Sequence, residues 1–398
     1  MGEINYDVIA AGHLCLDMTP RFNTDRDTSN IADILQPGTL VQMGEMTFST
    51  GGSVSNVGIA MKIFGCSVGF VAKVGADAIG RIIIEMLEKN GSAEGISVAE
   101  NEASSYSVVI SAPGIDRIFM HCSGTNDTFG SADLNLAAVG KSRLFHLGYP
   151  TLMRSLFADQ GRELASILQS VKQIGVTTSM DISLPDPDSE AGRVDWRTVY
   201  ERVLPFADIY LPSIEETFFT LHPREYLQRK QEHGGRELID FVSPEEVGAF
   251  ASEYLELGCK IVVLKAGHNG WYVKTAGEEQ IASMGRAAPS DPQKWADREL
   301  WCPAFLADEI ASSTGAGDCS IAAFLTALLR SHPIEECLKL ANCAGYLNLR
   351  AIDTISGLVS WEELKGTYPK LPVRENAFLA DGWSWEGNRK IWEKQPRD

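Results

Sequence analysis

Residues 311–330 read ASSTGAGDCSIAAFLTALLR, a Gly-Ala-Gly turn and an acid followed by an apolar helical pattern. Glycines before a helix let several backbone N–H groups point to one place, and the positive end of the helix dipole favours an anion there. Asp318 would be repelled by a phosphate bound there unless the carboxylate has a task, such as accepting a proton from a hydroxyl that attacks a phosphoryl group. For the turn alone, simple close packing of a helix stays open as the alternative.

A second glycine cluster, STGGSVSN at 49–56, predicts a small-molecule site. Gly51 and Gly52 precede a helix whose first turn carries Asn56, and backbone and side-chain amides suit the recognition of hydroxyls. An ordinary serine-capped helix start is the alternative. Asp17 follows the first predicted strand, near the edge of an open α/β sheet where ligands bind.

Short apolar strands alternate with helices along most of the chain. The predicted strands are 6–12, 68–75, 143–149, 177–182, 207–212 and 260–267. The predicted helices are 53–64, 78–90, 154–174, 244–257, 317–330 and 333–349. This alternation is typical of an α/β protein with a mostly parallel sheet covered by helices on both faces.

Two segments, 14–50 and 105–121, break this alternation with short alternating runs that indicate a small antiparallel sheet. It could be a lid over a site, a peripheral decoration or an oligomer contact. The tryptophan-bearing tail from Pro372 onward is expected to pack on the body.

Composition excludes several classes of partner. The formal net charge of -18, from 35 basic and 53 acidic residues, repels polyanions, so we expect no nucleic acid partner. No apolar stretch approaches the roughly 20 residues that span a bilayer, so we expect no membrane association. The eight cysteines include no C-x-x-C pair, and the N-terminus shows no basic-then-apolar leader. Reduced thiols in a cytoplasmic protein are therefore expected.

Taken together, these stretches resemble the ribokinase-like (PfkB) family of sugar and nucleoside kinases, over roughly residues 4–366. The motifs that carry the resemblance are GHLCLD with Asp17, GGSVSN with Asn56, SGTN at 123–126, LPSIEE at 211–216, LKAGHNGWYV at 264–273 and STGAGD at 313–318. The resemblance implies a Rossmann-like sheet flanked by helices, a β-sheet lid and ATP-dependent phosphorylation of an alcohol. It also implies a kinase domain over 1–370 with the two lid segments inserted, a C-terminal extension over 371–398, and a homodimer formed through the lid.

The same resemblance assigns roles to residues. Asp318 would be the general base, and the amides of Gly315, Ala316 and Gly317 would form an anion hole. The acceptor hydroxyls would be bound by Asp17, Gly51, Gly52 and Asn56. The nucleotide would lie along Lys265, Gly267 and Gly270, with Asn342 near the adenine, and Glu216 would hold Mg²⁺ through water. The expected cofactors are ATP and Mg²⁺.

Three departures from the family pattern limit what can be carried over. Ser312 stands where the family usually has an Asp that helps hold a monovalent cation, so activation by potassium is in doubt. Ser213 replaces an Asn three residues before the magnesium-linked Glu216. The stretch 180–189 lacks the Asn and Arg of many hexose and keto-acid kinases, which argues against naming a substrate.

The function predicted from the sequence is an ATP-dependent sugar kinase acting on a primary alcohol of a monosaccharide or related polyol. A nucleoside kinase of the same fold is the nearest alternative. A sugar-binding regulatory protein that lost turnover is the alternative from a different class, and the retained Asp318 weighs against it.

Overall fold

The short apolar strands assemble into one large sheet and one small sheet. The structure is a computed structural model that describes residues 4–23, 30–115, 117–351, 353–375, 379 and 382–395. Its strands are β1 (Tyr6–Gly12), β2 (Cys15–Phe22), β3 (Met43–Gly51), β4 (Val68–Gly75), β5 (Ile96–Ala99), β6 (Tyr106–Ile110), β7 (Ile118–Cys122), β8 (Ser142–Gly148), β9 (Thr177–Asp181), β10 (Ile209–Tyr210), β11 (Ile261–Lys265), β12 (Trp271–Thr275), β13 (Glu299–Cys302), β14 (Trp383–Glu386) and β15 (Ile391–Lys394).

The helices fill the intervals between these strands. They are α1 (Ser53–Ile63), α2 (Ala78–Asn90), α3 (Leu136–Val139), α4 (Arg154–Gln173, broken by non-helical backbone at 158–161), α5 (Trp196–Val203), α6 (Ile214–Leu221), α7 (Pro223–Glu232), α8 (Pro244–Glu256), α9 (Glu278–Ala282), α10 (Ala316–Leu329), α11 (Ile334–Asn348) and α12 (Trp361–Thr367). No helix in the described ranges is long and apolar enough to cross a membrane.

The large sheet has the strand order β14-β15-β13-β12-β11-β10-β9-β8-β1-β4-β5. Neighbours from β5 to β11 pair in parallel, and every pairing from β11 to β14 is antiparallel. Alternate residues of β1 enter two separate cores, Val8 and Ala10 in one and Ile9 and Ala11 in the other. Both faces of the sheet are therefore covered, which confirms the predicted α/β class.

Helix α10 lies deep in the first of these cores. Every residue from Asp318 to Leu329 is buried, and α10 packs against both α1 and α11. A helix that is apolar on all sides must be buried on all sides, as the run IAAFLTALL requires. Its N-terminus lies at the carboxyl end of the parallel strands, where Asp318 contacts Tyr149 directly after β8.

The two segments that break the alternation form the small sheet, with the order β3-β2-β6-β7. The outer pairings are antiparallel, and the central β2–β6 pairing is parallel. Residues 24–29 of the first segment lie outside the described residues. We call this four-stranded sheet the lid sheet.

The segment after residue 371 extends the large sheet at one edge. Strands β14 and β15 form a hairpin, and β15 pairs with β13 through Leu300 and Trp301. Trp383 is buried against Trp301 and Tyr272. Residues 376–378, 380–381 and 396–398 of this tail lie outside the described residues. All eight cysteines are unpaired thiols.

Candidate active site

The turn before α10 has a left-handed glycine at its centre. Gly315 has φ 77° and ψ -9°, and a Cβ there would lie 2.5 Å from the carbonyl oxygen of Thr354. Only glycine adopts this backbone without strain and fits the space. The turn therefore needs glycine at this position to bring the N-terminus of α10 against the 353–357 segment.

Of the three amides predicted to form an anion hole, one is engaged inside the turn. The N–H of Ala316 donates to the carbonyl oxygen of Ser313 at 3.2 Å, whereas those of Gly315 and Gly317 donate to no group among the described residues. The N–H of Thr314 donates to Ser312 Oγ at 3.1 Å. Ser312, at the family's usual cation-linked position, thus bonds to the loop itself.

Asp318 lies in the first turn of α10 and is 4% exposed. Its Oδ2 accepts a hydrogen bond from Asn56 Nδ2 at 2.8 Å, and its Oδ1 accepts one from the Tyr149 hydroxyl at 2.7 Å. Burial, followed by the nearby Asp181 carboxylate, raises the pKa of Asp318 to about 6, against the hydrogen bonds and Lys265, which lower it. A carboxylate that is ionised at neutral pH yet basic for its type suits proton abstraction.

A buried polar cluster lies behind this acid. Asp181, at the end of β9, is fully buried, and its Oδ1 lies 3.3 Å from Ser53 Oγ and 3.4 Å from His146 Nε2. Its Oδ2 has no partner in the parts of the chain described here. A buried carboxylate oxygen of this kind is costly unless a donor or a cation approaches it.

Gly51 and Gly52 allow polar side chains to approach the start of α1. A Cβ at Gly51 would lie 2.2 Å from an Asp17 carboxylate oxygen, and one at Gly52 would lie 2.5 Å from His13 Nδ1. Asp17 is half-buried, and burial raises the pKa of its carboxyl. The predicted acceptor residues therefore lie together, and Asn56 joins them directly to Asp318.

The lid sheet contributes a polar row to this cluster. Ser49 on β3 pairs with Asp17 on β2, which pairs with Ser107 on β6, which pairs with His121 on β7. Directly paired residues share one face of a sheet. The next row, Phe48-Met18-Val108-Met120, lies on the opposite face and is entirely apolar. His121 Nε2 lies 3.4 Å from His13 Nε2, so this row reaches the body of the protein.

A cavity of about 480 Å³ opens on the other side of the α10 turn. Its polar end is lined by Lys265, Gly267, Ser313, Ala316 and Gly317, and its apolar end by Ala304, Phe305, Leu306, Tyr346 and Leu349. A polar end at a helix N-terminus and an apolar end suit a polyphosphate and a base, respectively. The N-terminus of α10 thus separates the cavity from the polar acceptor cluster.

Lys265 and Glu216 stand at the polar end. Lys265 Nζ lies 3.7 Å from Glu216 Oε2, and the Glu216 carboxylate also accepts the N–H of Ser213 at 2.5 Å. Ser213 Oγ in turn accepts the N–H of Glu216, so the pair forms a capping box at the start of α6. Burial raises the pKa of Glu216, and Lys265 opposes that shift.

Two of the residues that were predicted to lie along the nucleotide help to position one wall of the cavity. A Cβ at Gly270, where φ is 97°, would lie 2.0 Å from the carbonyl oxygen of Cys302, so this glycine lets the 302–304 segment approach. Asn342 lines the cavity, but its Nδ2 donates to the carbonyl oxygens of Cys302 and Pro303, at 3.1 and 3.3 Å. Both residues position one wall.

The sequence interpretation missed other residues of the site. Tyr149 was placed at the end of a predicted strand, and no pattern marks its contact with Asp318. His13 is part of GHLCLD, but its neighbour His121 is 108 positions away. Arg374 lines the cavity because Val373 forms a bridge to Phe305, a pairing without a local sequence signal.

Comparison with known proteins relates this arrangement to a family. The sequence profile described as pfkB family carbohydrate kinase matches residues 22–361. An uncharacterized sugar kinase of Archaeoglobus fulgidus is 23% identical over 279 residues, covering 70% of this chain and 89% of the relative. An ATP-dependent 6-phosphofructokinase of Thermoanaerobacterium thermosaccharolyticum is 22% identical over 371 residues, covering 93% and 96%, respectively.

Solved structures share the fold. A ribokinase of Arabidopsis thaliana complexed with ribose and ATP has a TM-score of 0.65 at 18% identity, over 91% of this chain and 98% of the other. A nucleoside kinase of Methanocaldococcus jannaschii has a TM-score of 0.60 at 14% identity, over 93% and 100%. Because the family profile matches most of its length, this chain is an ATP-dependent kinase and belongs to the pfkB family of carbohydrate kinases.

Proposed function

We propose that the protein transfers the γ-phosphate of ATP to a primary alcohol of a monosaccharide or related polyol, with Asp318 as the general base. The observation that carries this proposal is the position of Asp318. It is buried at the N-terminus of α10, with the polar acceptor cluster of Asp17 and Asn56 on one side and the cavity bounded by Gly317 on the other. An acceptor hydroxyl and a phosphoryl group would meet beside this carboxylate.

In the proposed step, an Asp318 carboxylate oxygen takes the proton of the acceptor hydroxyl. The hydroxyl oxygen forms a bond to the γ-phosphorus while the bond from that phosphorus to the oxygen bridging it to the β-phosphate breaks, and ADP leaves with that oxygen. The amides of Gly315 and Gly317 stabilise the charge that develops on the transferred group. Lys265 would pair with the phosphates at the polar end of the cavity.

Magnesium fits the residues at that end. Glu216 is a half-buried carboxylate whose pKa is raised by burial, so a cation nearby would stabilise its charge. Mg²⁺ typically takes one or two carboxylates together with substrate phosphates and keeps several waters. Glu216 would hold the ion, which supplies charge neutralisation at the phosphates when bound.

The polar row of the lid sheet favours a polyol over a nucleoside. Ser49, Asp17, Ser107 and His121 present hydroxyl, carboxylate and imidazole groups, which suit several sugar hydroxyls. A nucleoside base would instead need an apolar or aromatic surface on which to stack, and on this face such a surface, the pair Val109 and Phe119, begins only beyond the polar row. Asn56, whose Oδ1 has no partner among the described residues, adds a further polar group to this site.

Release of ADP tests this function directly. The parent protein and Asp318→Asn would be assayed with ATP, Mg²⁺ and a panel of pentoses, hexoses, sugar acids, inositols and nucleosides. We expect at least one monosaccharide or polyol to be phosphorylated, and Asp318→Asn to lower kcat about a hundredfold or more while ATP binding and Tm stay close to those of the parent.

Three results would contradict the proposal. Phosphorylation of nucleosides alone would identify the alternative substrate class. A sugar that binds without ADP release in the parent would identify the regulatory alternative. Turnover by Asp318→Asn within threefold of the parent would show that another group is the base.

A further inference from the structure

Tyr149 makes a direct contact with the proposed base. Its hydroxyl donates to Asp318 Oδ1 at 2.7 Å, while Asn56 Nδ2 donates to Oδ2 at 2.8 Å. The two donors come from separate elements, the end of β8 and the first turn of α1. Each donates to a different oxygen of the same carboxylate. Rotation of this carboxylate would break at least one of the bonds, so both donors together fix its orientation.

The backbone of Tyr149 is in an unusual conformation for its residue type. It has φ 59° and ψ 43°, the left-handed region that glycine occupies without cost. A large side chain there costs about 1 kcal/mol or more, and such residues tend to persist where the side chain has a role. The left-handed turn ends β8 and directs the phenol towards α10 instead of along the sheet.

The phenol is a donor under all ordinary conditions. Burial and the Asp318 carboxylate raise the pKa of Tyr149 well above its usual range, so the hydroxyl keeps its proton. The other titratable groups around this pair are Asp181 at the end of β9, Lys265 at the end of β11, Glu216 on α6, Cys319 beside Asp318 and His13, whose ring centroid lies 6.1 Å from that of Tyr149.

We propose that Tyr149 is a positioning residue, whose hydroxyl holds the Asp318 carboxylate in the orientation and ionised state that the acceptor hydroxyl requires. This inference rests on the proposed role of Asp318 as base. Donation to a carboxylate stabilises its charged form, so losing the phenol makes the carboxylate easier to protonate. Activity would then be lost at a higher pH when the solution is acidified.

The test compares Tyr149→Phe with Tyr226→Phe. Tyr226 is a buried tyrosine whose hydroxyl donates to Glu215 at the same 2.7 Å, outside the contacts of Asp318, so it controls for loss of a phenol-to-carboxylate bond. If the pKa of Asp318 rises by about one unit from about 6, Tyr149→Phe should lower kcat/KM about fivefold more at pH 6 than at pH 8.5, where only the loss of orientation remains. Tyr226→Phe should show the same pH dependence of kcat/KM as the parent.

A double-mutant cycle checks that Tyr149 acts through Asp318. In an Asp318→Asn background, Tyr149→Phe should have no further effect on turnover, because the carboxylate that the phenol orients is already gone. Equal losses in both backgrounds would overturn the proposal. The proposal would also be overturned if Tyr149→Phe lowered kcat/KM by the same factor at pH 6 and at pH 8.5.

Measurements without substrate separate this proposal from the proposed function. The ¹³C carboxyl signal that disappears in Asp318→Asn should titrate about one unit higher in Tyr149→Phe. If Tyr149→Phe does not fold, the same coupling can be measured from the other residue. Because Asp318→Asn removes the carboxylate beside the phenol, it should lower the pKa read from one tyrosine ¹³Cζ signal. Shifts of these signals in a protein that phosphorylates no acceptor would show that the phenol sets the ionisation of Asp318, and would refute the proposed kinase step for which that carboxylate is held. Unshifted signals in an active kinase would do the reverse.

Discussion

Replacing Gly315 by alanine tests the geometry of the α10 turn. The new Cβ would lie 2.5 Å from the carbonyl oxygen and 2.7 Å from the Cα of Thr354, both backbone atoms that cannot rotate away. The left-handed backbone adds about 1–2 kcal/mol for a residue with a Cβ, and overpacking typically adds about 1–3 kcal/mol. We expect the free energy of unfolding to fall by about 2–5 kcal/mol, and kcat to fall about a hundredfold because the amides of the turn are displaced.

Gly317→Ala is the matched control in the same loop. Outside its chain neighbours and the backbone of its own helix, its Cβ would lie no closer than 3.8 Å to a heavy atom, the nearest being Lys265 Cδ, and its φ is not in the left-handed range. Alanine also favours the helix by up to about 1 kcal/mol over glycine. Stability of Gly317→Ala should therefore equal or exceed that of the parent, with the effect confined to ATP binding at the cavity wall.

Urea unfolding and initial rates of ADP release measure these differences. A Gly315→Ala protein whose unfolding free energy lies within about 0.5 kcal/mol of the parent, with unchanged kcat, would show that the left-handed turn is not required. Equal destabilisation of both variants would show that the loop responds to any added methyl group, and would refute the reasoning from the Thr354 contact.

Three further predictions concern the nucleotide, the cation and the lid sheet. Because Arg374 lines the cavity, Arg374→Ala should raise the KM for ATP several-fold and leave the KM for the acceptor unchanged. Arg389→Ala is the control in the same tail, and equal effects of Arg374→Ala on both KM values would contradict a nucleotide contact. Because Ser312 bonds to the loop itself, activity without K⁺ should stay within about threefold of that with K⁺ at matched ionic strength, and a tenfold rise would show a working cation site. The apolar row of the lid sheet should be covered by a second copy, so Phe48→Glu should convert a dimer to a monomer in light scattering, and a monomeric parent would contradict this.

The sequence predicted most of the parallel strands and the longer helices, but it missed the parallel edge strand β5 and short helices such as α5 and α6. For example, 68–75 and 78–90 coincide with β4 and α2, because a continuous apolar run and a 3.6-residue period are strong local signals. Strand β10 has only two residues, and the antiparallel strands β12 to β15 were not predicted. Their pairing depends on tertiary contacts such as that between β13 and β15, which no local pattern encodes.

The residues of the candidate site likewise include some that local motifs predict and some that they do not. Asp318, Gly315 and Asn56 lie in short motifs whose chemistry is visible in the residues themselves. Tyr149 reaches Asp318 across 169 positions, and only a left-handed turn that the residue type does not favour brings it there. Residues that act through a rare backbone conformation or a long-range register leave no periodic signal in the sequence.

The hairpin of β14 and β15 has a consequence for biosynthesis. Strand β13 and the wall of the nucleotide cavity that follows it are made long before the ribosome reaches Trp383, so during that interval β13 is the unpaired edge of the sheet. An unpaired edge is a template for association with other chains. A chain that ends between these two points would expose that edge, and we expect it to associate with other chains more readily than the full-length protein.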